Sequence, residues 1–249
     1  MKVAAIYDIH GNLPALEAVV ADIRKAGVDR IVVGGDVFPG PMACEVLGYL
    51  RALTTPVQFI SGNGDRVVLE QKAGKESNEV PEPFRDVIRW NAQQLRPEDQ
   101  QLLAGWPTTI TVDVPGLGPV LFCHATPRND VEIFTRLTSA ARLVPVFRGL
   151  NASTVICGHT HMQFDRTLGR IRVVNAGSVG MPFQGPGAYW LLLGPEVQLQ
   201  QTSYDLANAA ERIRATAYPQ REDFAERSVL HPPTEAAMLE LFAKAELKS

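Results

Sequence analysis

The chain has 249 residues, of which 45% are hydrophobic and 20% charged, a composition typical of a folded globular protein. Its formal net charge of −3 argues against a nucleic-acid-binding protein, because phosphate backbones are normally bound by a strongly basic surface. Cys44, Cys123 and Cys157 have no CxxC or paired spacing, so we expect reduced core thiols rather than disulfides or a zinc knuckle. The sequence shows neither a signal peptide nor a run of about 18 apolar residues, which predicts a cytoplasmic protein without a membrane span.

The first 65 residues alternate short apolar runs with helical patterns. Pro14 and Gly27 are typical of the first turn and the end of a helix, respectively. Strands followed by helices through short links predict a layered sheet with covering helices. Each predicted strand leads to a polar residue beside glycine, where the backbone can turn sharply. The predicted elements are strands over 3–7, 30–33 and 57–60 and helices over 13–23 and about 42–53.

From Arg66 to about Trp106 the sequence becomes polar, which predicts a helical insertion over the site, with helices around 81–95 and 97–104. The later predicted elements are strands over 108–114, 119–123 and 154–157, a helix over 139–150, hairpins at 115–118, 169–170 and 194–195, and a helix over 204–217. We therefore predict one domain over 1–203 with a cap insertion at about 66–106. A C-terminal helical extension over 204–249 is expected to pack on that domain.

Four of the five histidines lie at predicted strand ends. His10 belongs to Asp8-Ile9-His10-Gly11-Asn12, His124 ends a strand, and the other two belong to Gly158-His159-Thr160-His161. A single histidine is more often a buried or surface imidazole without a metal. Imidazoles and carboxylates together, however, suit divalent ions such as Mn, Fe and Zn, so this clustering predicts a metal site.

The combined motifs resemble those of the calcineurin-like metallophosphoesterases in identity, order and spacing, over about residues 1–200. They are Asp8-x-His10-Gly11-Asn12, Gly35-Asp36, Gly62-Asn63-Gly64-Asp65, His124 and Gly158-His159-Thr160-His161. The resemblance implies an α+β fold, a four-layer αββα sandwich with a helical cap insertion, of the small prokaryotic phosphodiesterase type. It also implies two divalent metal ions, chosen from Mn, Fe, Zn or Ni, with Mn favoured. One ion would be held by Asp8, His10, Asp36 and His161, and the other by Asp36, Asn63, His124 and His159, with Asp36 as the bridge.

The implied reaction is hydrolysis of a phosphodiester or nucleotide-like phosphate by a hydroxide shared between the two metals. Asp36 and Asn63 would then serve catalysis as well as metal binding. No side-chain nucleophile is required, and Ser178 lacks the Gly-x-Ser-x-Gly context of one. We interpret residues 175–180 as the glycine-rich turn that this family has near its metals.

The third motif departs from the family pattern, which usually has histidine after the asparagine, where this chain has Gly64. That histidine is associated with phosphate binding or leaving-group departure, so a good leaving group or a substitute residue is expected. Arg128, whose guanidinium suits phosphate, and Asp65 are the catalytic candidates for this role. Asn129, next to Arg128, is a further candidate, and the insertion offers weaker ones, each more often simply solvated: Arg66, Arg89, Asn91 and Gln94. Trp90 is interpreted as cap core more readily than as a base-stacking platform.

Several alternatives stay open. Within the family they are a phosphomonoesterase or protein phosphatase and a dinucleoside-polyphosphate hydrolase. Outside it they are a non-catalytic metal-binding scaffold, as in the retromer-subunit relatives, and a DNA-repair nuclease of the same superfamily. Scaffolds tend to lose metal ligands, whereas this chain keeps them, and the net charge disfavours the nuclease. The expected partner is a small-molecule phosphate ester rather than nucleic acid or a membrane, and a homo-oligomer is compatible with the sequence.

Overall fold

The strands form two five-stranded sheets in the computed structural model, which describes residues 1–247. The strands are β1 Val3–Ile6, β2 Arg30–Val33, β3 Val57–Phe59, β4 Thr109–Val114, β5 Gly118–Cys123, β6 Thr154–Cys157, β7 Phe164–Leu168, β8 Ile171–Asn175, β9 Ala188–Leu193 and β10 Val197–Thr202. The first sheet has the order β10-β9-β1-β2-β3, and the second has the order β4-β5-β6-β8-β7. Strands β1, β2 and β3 run parallel, as do β5, β6 and β8. The carboxyl ends of neighbouring strands therefore meet at one edge of each sheet.

Helices flank the two sheets. They are α1 Leu13–Ala26, α2 Ala43–Arg51, α3 Asn63–Lys72, α4 Arg85–Gln94, α5 Pro97–Ala104, α6 Ala140–Phe147, α7 Leu206–Arg214, α8 Arg221–Phe224 and α9 Glu235–Ala243, with a 3-10 turn over Glu82–Phe84 and a π-helical segment over Ala225–Leu230. Within residues 1–247, no helix has both the length and the apolar character that crossing a bilayer requires.

Alternation along the strands separates the hydrophobic layers. In β1, Val3 and Ala5 face the core between the two sheets, whereas Ala4 and Ile6 face the helices outside the first sheet. In β6, Ile156 packs in the core between the sheets, whereas Val155 and Cys157 pack in the core beneath α6. The resulting order of helix, sheet, sheet and helix confirms the predicted αββα sandwich.

The predicted hairpins form as expected: β4 pairs with β5, β7 with β8, and β9 with β10, all antiparallel. The helices predicted over 139–150 and 204–217 are shorter, as α6 and α7 show. The prediction missed α3 altogether, because its first turn coincides with the polar third motif. In that turn the Asp65 carboxylate accepts a 3.0 Å hydrogen bond from the Gly62 N–H, which stabilises the start of the helix.

The cysteines are free thiols. Cys123 and Cys157 are buried in the core beneath α6, as the sequence predicts. Cys44 is only partly buried, in α2, where its thiol lies 3.6 Å from the carbonyl oxygen of Gln94.

The segment after β10 packs against the residue that precedes α2 and against α4. Ala209, Tyr218 and Phe224 share a hydrophobic cluster with Met42, and with Val87 of α4. This contact brings the C-terminal segment to the same end of the sheets as the strand-end motifs.

Candidate metal centre

The predicted ligands come from both sheets, at the carboxyl ends of parallel strands. Because the two sheets pack face to face with these ends together, loops that are far apart in sequence converge on one small volume. Asp8 and His10 follow β1, Asp36 follows β2, Asn63 follows β3 and begins α3, His124 follows β5, and His159 and His161 follow β6.

The first group of ligand atoms surrounds the carboxylate of Asp8. Its Oδ1 lies 3.3 Å from His161 Nε2 and 4.0 Å from His10 Nε2, and the two Nε2 atoms are 3.3 Å apart. The other carboxylate oxygen, Oδ2, accepts a 2.9 Å hydrogen bond from the His159 N–H. Oδ1 is buried and has no hydrogen-bond partner among the described residues. A buried, unpartnered carboxylate oxygen facing two imidazole nitrogens fits a divalent cation.

The histidine tautomers support the same conclusion. Three of the four imidazoles place Nδ1 within 2.7 to 3.1 Å of a backbone carbonyl oxygen. A carbonyl only accepts, so each Nδ1 donates its proton and leaves the Nε2 lone pair free for a metal. The facing lone pairs of His10 and His161 would repel each other without a cation between them. The accepting carbonyls are those of Pro39 for His10, Gly34 for His124 and Met181 for His161.

The carboxylate of Asp36 lies between the two expected ligand groups. Its Oδ2 is 3.6 Å from both His10 Nε2 and His124 Nε2, while its Oδ1 accepts a 2.8 Å hydrogen bond from the Gly64 N–H. The amide oxygen of Asn63 lies 3.0 Å from the same His124 nitrogen. A single carboxylate oxygen between histidines of the two groups suits a bridging ligand.

The electrostatics of the cluster favour the neutral form of two of its imidazoles, the form that metal binding requires. Burial lowers the pKa of His10, and burial together with His124 lowers the pKa of His159 to about 4. Burial opposes protonation of His124 as well, but the Asp36 and Asp8 carboxylates outweigh it and raise the pKa of that imidazole. Burial alone would raise the pKa of Asp8, yet the surrounding histidines, led by His161, hold it well below its usual range.

The backbone at the cluster is strained. Asp8, His10, Asp36, His159 and His161 all have φ between 45° and 66°, the left-handed region that side chains other than glycine seldom adopt. Such strain concentrates at functional sites, where the surrounding structure holds the residue in place. The sequence carries no direct signal for this feature, although the chemistry of all five residues singles them out.

Gly64 is fixed by close packing. A Cβ atom on this residue would lie 2.3 Å from the Phe38 carbonyl oxygen and 2.9 Å from Pro39 Cδ. The loop after β2 therefore occupies the space that a side chain at position 64 would need. The loop after β2 thus packs closely against Gly64, and this backbone has no room for a histidine at position 64.

Asp65 does not line the cleft that lies above the predicted ligands His10, Asp36, Asn63 and His159. It is fully buried, and its carboxylate accepts hydrogen bonds from the N–H groups of Asp36 (2.8 Å), Phe38 (3.0 Å) and Gly62 (3.0 Å). Burial and the neighbouring Asp36 carboxylate raise the pKa of Asp65. This placement argues against the expected direct role in catalysis and favours a role in holding the ligand loops.

Arg128 is paired with a neighbouring carboxylate. Its guanidinium donates to both oxygens of Glu132, a buried carboxylate that also accepts a 2.6 Å hydrogen bond from the Thr126 hydroxyl. Arg128 is absent from the described residues that line the cleft above the ligands. The geometry therefore argues against the phosphate-binding role expected from the sequence, since the guanidinium already has a partner.

The weaker candidates are engaged elsewhere in the same way. Arg66 binds Asp130 at 2.7 Å, and Arg89 binds Glu76 at 3.0 Å. The Asn91 carboxamide accepts a hydrogen bond from the Gly40 N–H and donates one to the Val87 carbonyl. Asn129 caps its own loop by accepting from the N–H groups of Val131 and Glu132, and Gln94 is exposed. None of these five lines the cleft among the described residues.

Trp90 packs edge to face against Tyr218, with the ring centroids 5.6 Å apart. This contact joins the cap to the C-terminal segment and favours the interpretation of Trp90 as cap core. Tyr218 and Phe224 themselves line the cleft, although neither is among the site residues predicted from the sequence. The signal available for them was only the presence of aromatic residues in an otherwise charged segment.

The turn over residues 175–180 supports the ligand loops, as expected. The Asn175 amide donates a 2.7 Å hydrogen bond to the Gly158 carbonyl, and the Ser178 hydroxyl donates one of the same length to the Asp8 carbonyl. Both are buried, so Ser178 is a supporting residue of the turn rather than an exposed nucleophile.

Comparisons with known proteins agree with this geometry. An uncharacterized protein from Methanocaldococcus jannaschii is 28% identical over 242 residues, which cover 88% of this chain and 94% of that protein. The crystal structure of a metallophosphoesterase from Sphaerobacter thermophilus is similar with a TM-score of 0.72 and 25% identity, covering 91% of this chain and 97% of that one. A hypothetical protein from Pyrococcus horikoshii shares the fold, with a TM-score of 0.76, 20% identity and coverage of 94% and 99%.

The sequence model of the calcineurin-like phosphoesterase superfamily domain matches residues 1–195. This span includes every predicted metal ligand and every strand of both sheets except β10. The chain therefore belongs to the calcineurin-like phosphoesterase superfamily.

Proposed function

We propose that the protein is a dimetal-dependent phosphoesterase that hydrolyses phosphodiesters or nucleotide-like phosphate esters. The observation that carries this proposal is the position of Asp36 Oδ2, 3.6 Å from His10 Nε2 and 3.6 Å from His124 Nε2. A carboxylate in this position can bind two cations at once. The match to the phosphoesterase superfamily supports the same reaction class.

The proposed ligand sets share Asp36. Two divalent ions, with Mn favoured over Fe, Zn or Ni, would supply an activated water and stabilise charge on the phosphoryl oxygens. The chain itself holds the ligands in place through the three Nδ1 hydrogen bonds and the backbone contacts of Asp8 and Asp36. The first ion would be bound by Asp8, His10, Asp36 and His161, and the second by Asp36, Asn63, His124 and His159.

Leaving-group chemistry favours esters of acidic alcohols. Gly64 supplies no proton, and the two substitutes expected from the sequence, Asp65 and Arg128, are hydrogen-bonded elsewhere. An alkoxide of high pKa would therefore leave slowly, whereas an aryl oxide or a nucleotide phosphate leaves without an acid. This is why we favour diesters with a good leaving group over alkyl monoesters.

The test compares hydrolysis of bis-p-nitrophenyl phosphate with that of p-nitrophenyl phosphate by the Mn²⁺-reconstituted protein. Both substrates release the same p-nitrophenolate, so the comparison isolates the preference for diester or monoester. We expect the higher kcat/KM for the diester. Strong monoester hydrolysis with little diester hydrolysis would support a phosphomonoesterase instead, and no hydrolysis of either ester with two bound metals would support a non-catalytic scaffold.

The biological setting follows from sequence only. We propose a cytoplasmic location and a small-molecule phosphate ester as the partner, without nucleic acid or a membrane. Incubation with single-stranded DNA in Mn²⁺ tests the nuclease alternative directly, because a DNA-repair nuclease would cleave it.

A further inference from the structure

A cavity of about 600 Å³ opens directly above the candidate metal ligands. His10, Asp36, Asn63 and His159 are among the residues that line it, so a phosphate bound at the metals would point its organic group into this space. The volume lies within the range of cavities that hold small molecules. The cavity is therefore the place where the substrate's organic group can be recognised.

Three separate parts of the chain build the apolar wall of this cavity. The cap contributes Phe84 and Ile88, the segment after His124 contributes Ile133, and the C-terminal segment contributes Phe224. Three chain segments that are distant in sequence thus present hydrocarbon surface to one space beside the metal ligands. Burial of apolar surface is the main favourable contribution that such a wall can make to binding.

Phe84 is an exposed aromatic residue in this wall, and folding alone does not require that exposure. The side chain is 52% exposed, and among the large exposed hydrophobic residues of the described chain it is the one that lines the cavity. An exposed aromatic at the mouth of an apolar cavity is well placed to contact a ligand.

The charges around the cavity disfavour a second phosphate. Besides Asp36, the charged carboxylates that line it are Glu79 and Asp223, and no lysine or arginine is found among its described lining residues. Glu79 accepts a 2.8 Å hydrogen bond from Arg66, and Asp223 lies 3.0 Å from Arg227, so both are already paired with cations. A polyphosphate chain needs additional cationic groups, which this lining does not offer.

We infer that the cavity binds an apolar or aromatic substituent of a substrate that carries a single phosphate. This inference rests on the proposed phosphoesterase function and narrows its substrate class. It favours aryl-substituted phosphodiesters and disfavours dinucleoside polyphosphates. The metals would hold the phosphate, while the wall formed by Phe84, Ile133 and Phe224 would select the organic group.

The kinetic test uses two diesters with the same leaving group, methyl p-nitrophenyl phosphate and phenyl p-nitrophenyl phosphate, with the Mn²⁺-loaded full-length protein. Intrinsic reactivity differs between the two esters, so the informative quantity is how a variant changes their ratio of kcat/KM. We expect Phe84→Ala and Ile133→Ala to lower the phenyl-to-methyl ratio about tenfold. Leu199→Ala, in an exposed position on β10 away from the cavity, is the matched control and should keep the wild-type ratio. An unchanged ratio in both cavity variants overturns the inference.

A binding test avoids turnover. Isothermal titration of the Mn²⁺-loaded protein should show about tenfold tighter binding of benzylphosphonate than of methylphosphonate, with a more negative heat-capacity change. Equal affinities contradict the inference, as does a higher kcat/KM for diadenosine tetraphosphate than for the phenyl diester. Hydrolysis of the diesters without aromatic preference refutes only this inference. Tight benzylphosphonate binding without hydrolysis of any ester refutes the proposed function and leaves the cavity assignment standing.

Discussion

The carboxylate of Asp65 accepts a 2.8 Å hydrogen bond from the backbone N–H of Asp36 and so fixes the residue proposed to bridge the metals. Asp65→Asn would replace one accepting carboxylate oxygen with an NH2 group, which cannot accept a hydrogen bond from the backbone N–H groups that face it. We expect the free energy of unfolding to fall by about 1–3 kcal/mol, because buried donors lose their acceptor. Urea unfolding of the metal-free protein measures this change.

Metal affinity separates a positioning role of Asp65 from a purely structural one. If the residue positions Asp36, Asp65→Asn should also weaken Mn²⁺ binding about 10–100-fold, the usual effect of losing a residue that orients a ligand. Asp165→Asn changes a carboxylate that is paired with Arg172 in the second sheet and serves as the control. Normal Mn²⁺ affinity in Asp65→Asn would contradict the positioning role.

Asp36→Asn tests the bridge itself. The amide has only one oxygen and no negative charge, so we expect metal content below two ions per chain and a fall in kcat/KM of at least about 100-fold. Metal analysis after gel filtration and hydrolysis of bis-p-nitrophenyl phosphate measure the two effects. A variant that retained two ions and wild-type activity would refute the assignment of Asp36 as the shared ligand.

Gly64→His tests whether restoring the histidine of the family motif is enough to restore the function expected of that histidine. Because a Cβ here would lie 2.3 Å from the Phe38 carbonyl oxygen, we expect a loss of about 1–3 kcal/mol in stability and no gain in monoester hydrolysis. Gly48→His is the matched control, since Gly48 is exposed in α2 and its Cβ would meet no atom within 4 Å. Enhanced monoester hydrolysis by Gly64→His would show that the loop after β2 yields more easily than its packing indicates.

The stability of the metal-free protein should depend on pH through His159. The pKa of His159 in the folded protein is about 4, below its ordinary value of 6.5. The unfolded chain therefore binds a proton at this residue more readily, so the stability that neutral His159 provides is fully present above pH 6.5 and is lost as the pH falls toward 4. At pH 5 we expect a loss of about 2 kcal/mol relative to neutral pH from this residue. The difference in unfolding free energy between wild type and His159→Asn, measured at pH 7 and pH 5, isolates the effect. A difference that does not change with pH would contradict it.

Arg128→Ala tests the placement of that guanidinium. Because Arg128 binds Glu132 rather than the cavity, we expect kcat/KM for the diester to change by less than about threefold, whereas stability falls by about 1 kcal/mol. A 100-fold loss of kcat/KM with unchanged stability would restore the phosphate-binding role.

The candidate metal ligands could be singled out in the sequence because their chemistry is local. Asp8 and His10 lie two residues apart at the end of an apolar run, and His159 and His161 repeat this spacing, so a few neighbouring residues suffice to indicate each strand end. The succession of strands, helices and hairpin turns predicted a layered sheet with covering helices, whereas the four-layer sandwich was implied by the resemblance to the family.

Long-range contacts explain what the sequence could not reveal. Arg128 follows a predicted metal ligand closely, yet only the fold shows that the buried Glu132 takes its guanidinium. The role of Asp65 likewise depends on the approach of the backbone of Asp36, 29 residues away. The apolar wall of the cavity brings Phe224 together with Phe84, about 140 residues earlier in the sequence. No local sequence pattern predicts a contact over that separation.

The pairing of β1 with β9 places Val3 opposite Leu193, so the first sheet is incomplete until most of the chain is available. The ligands have the same property, because Asp8 follows β1 in one sheet and His161 follows β6 in the other. The centre therefore cannot be complete until the chain has been synthesised as far as His161 and the two sheets have packed together. A bound ion would then connect the two sheets, because its ligands come from both.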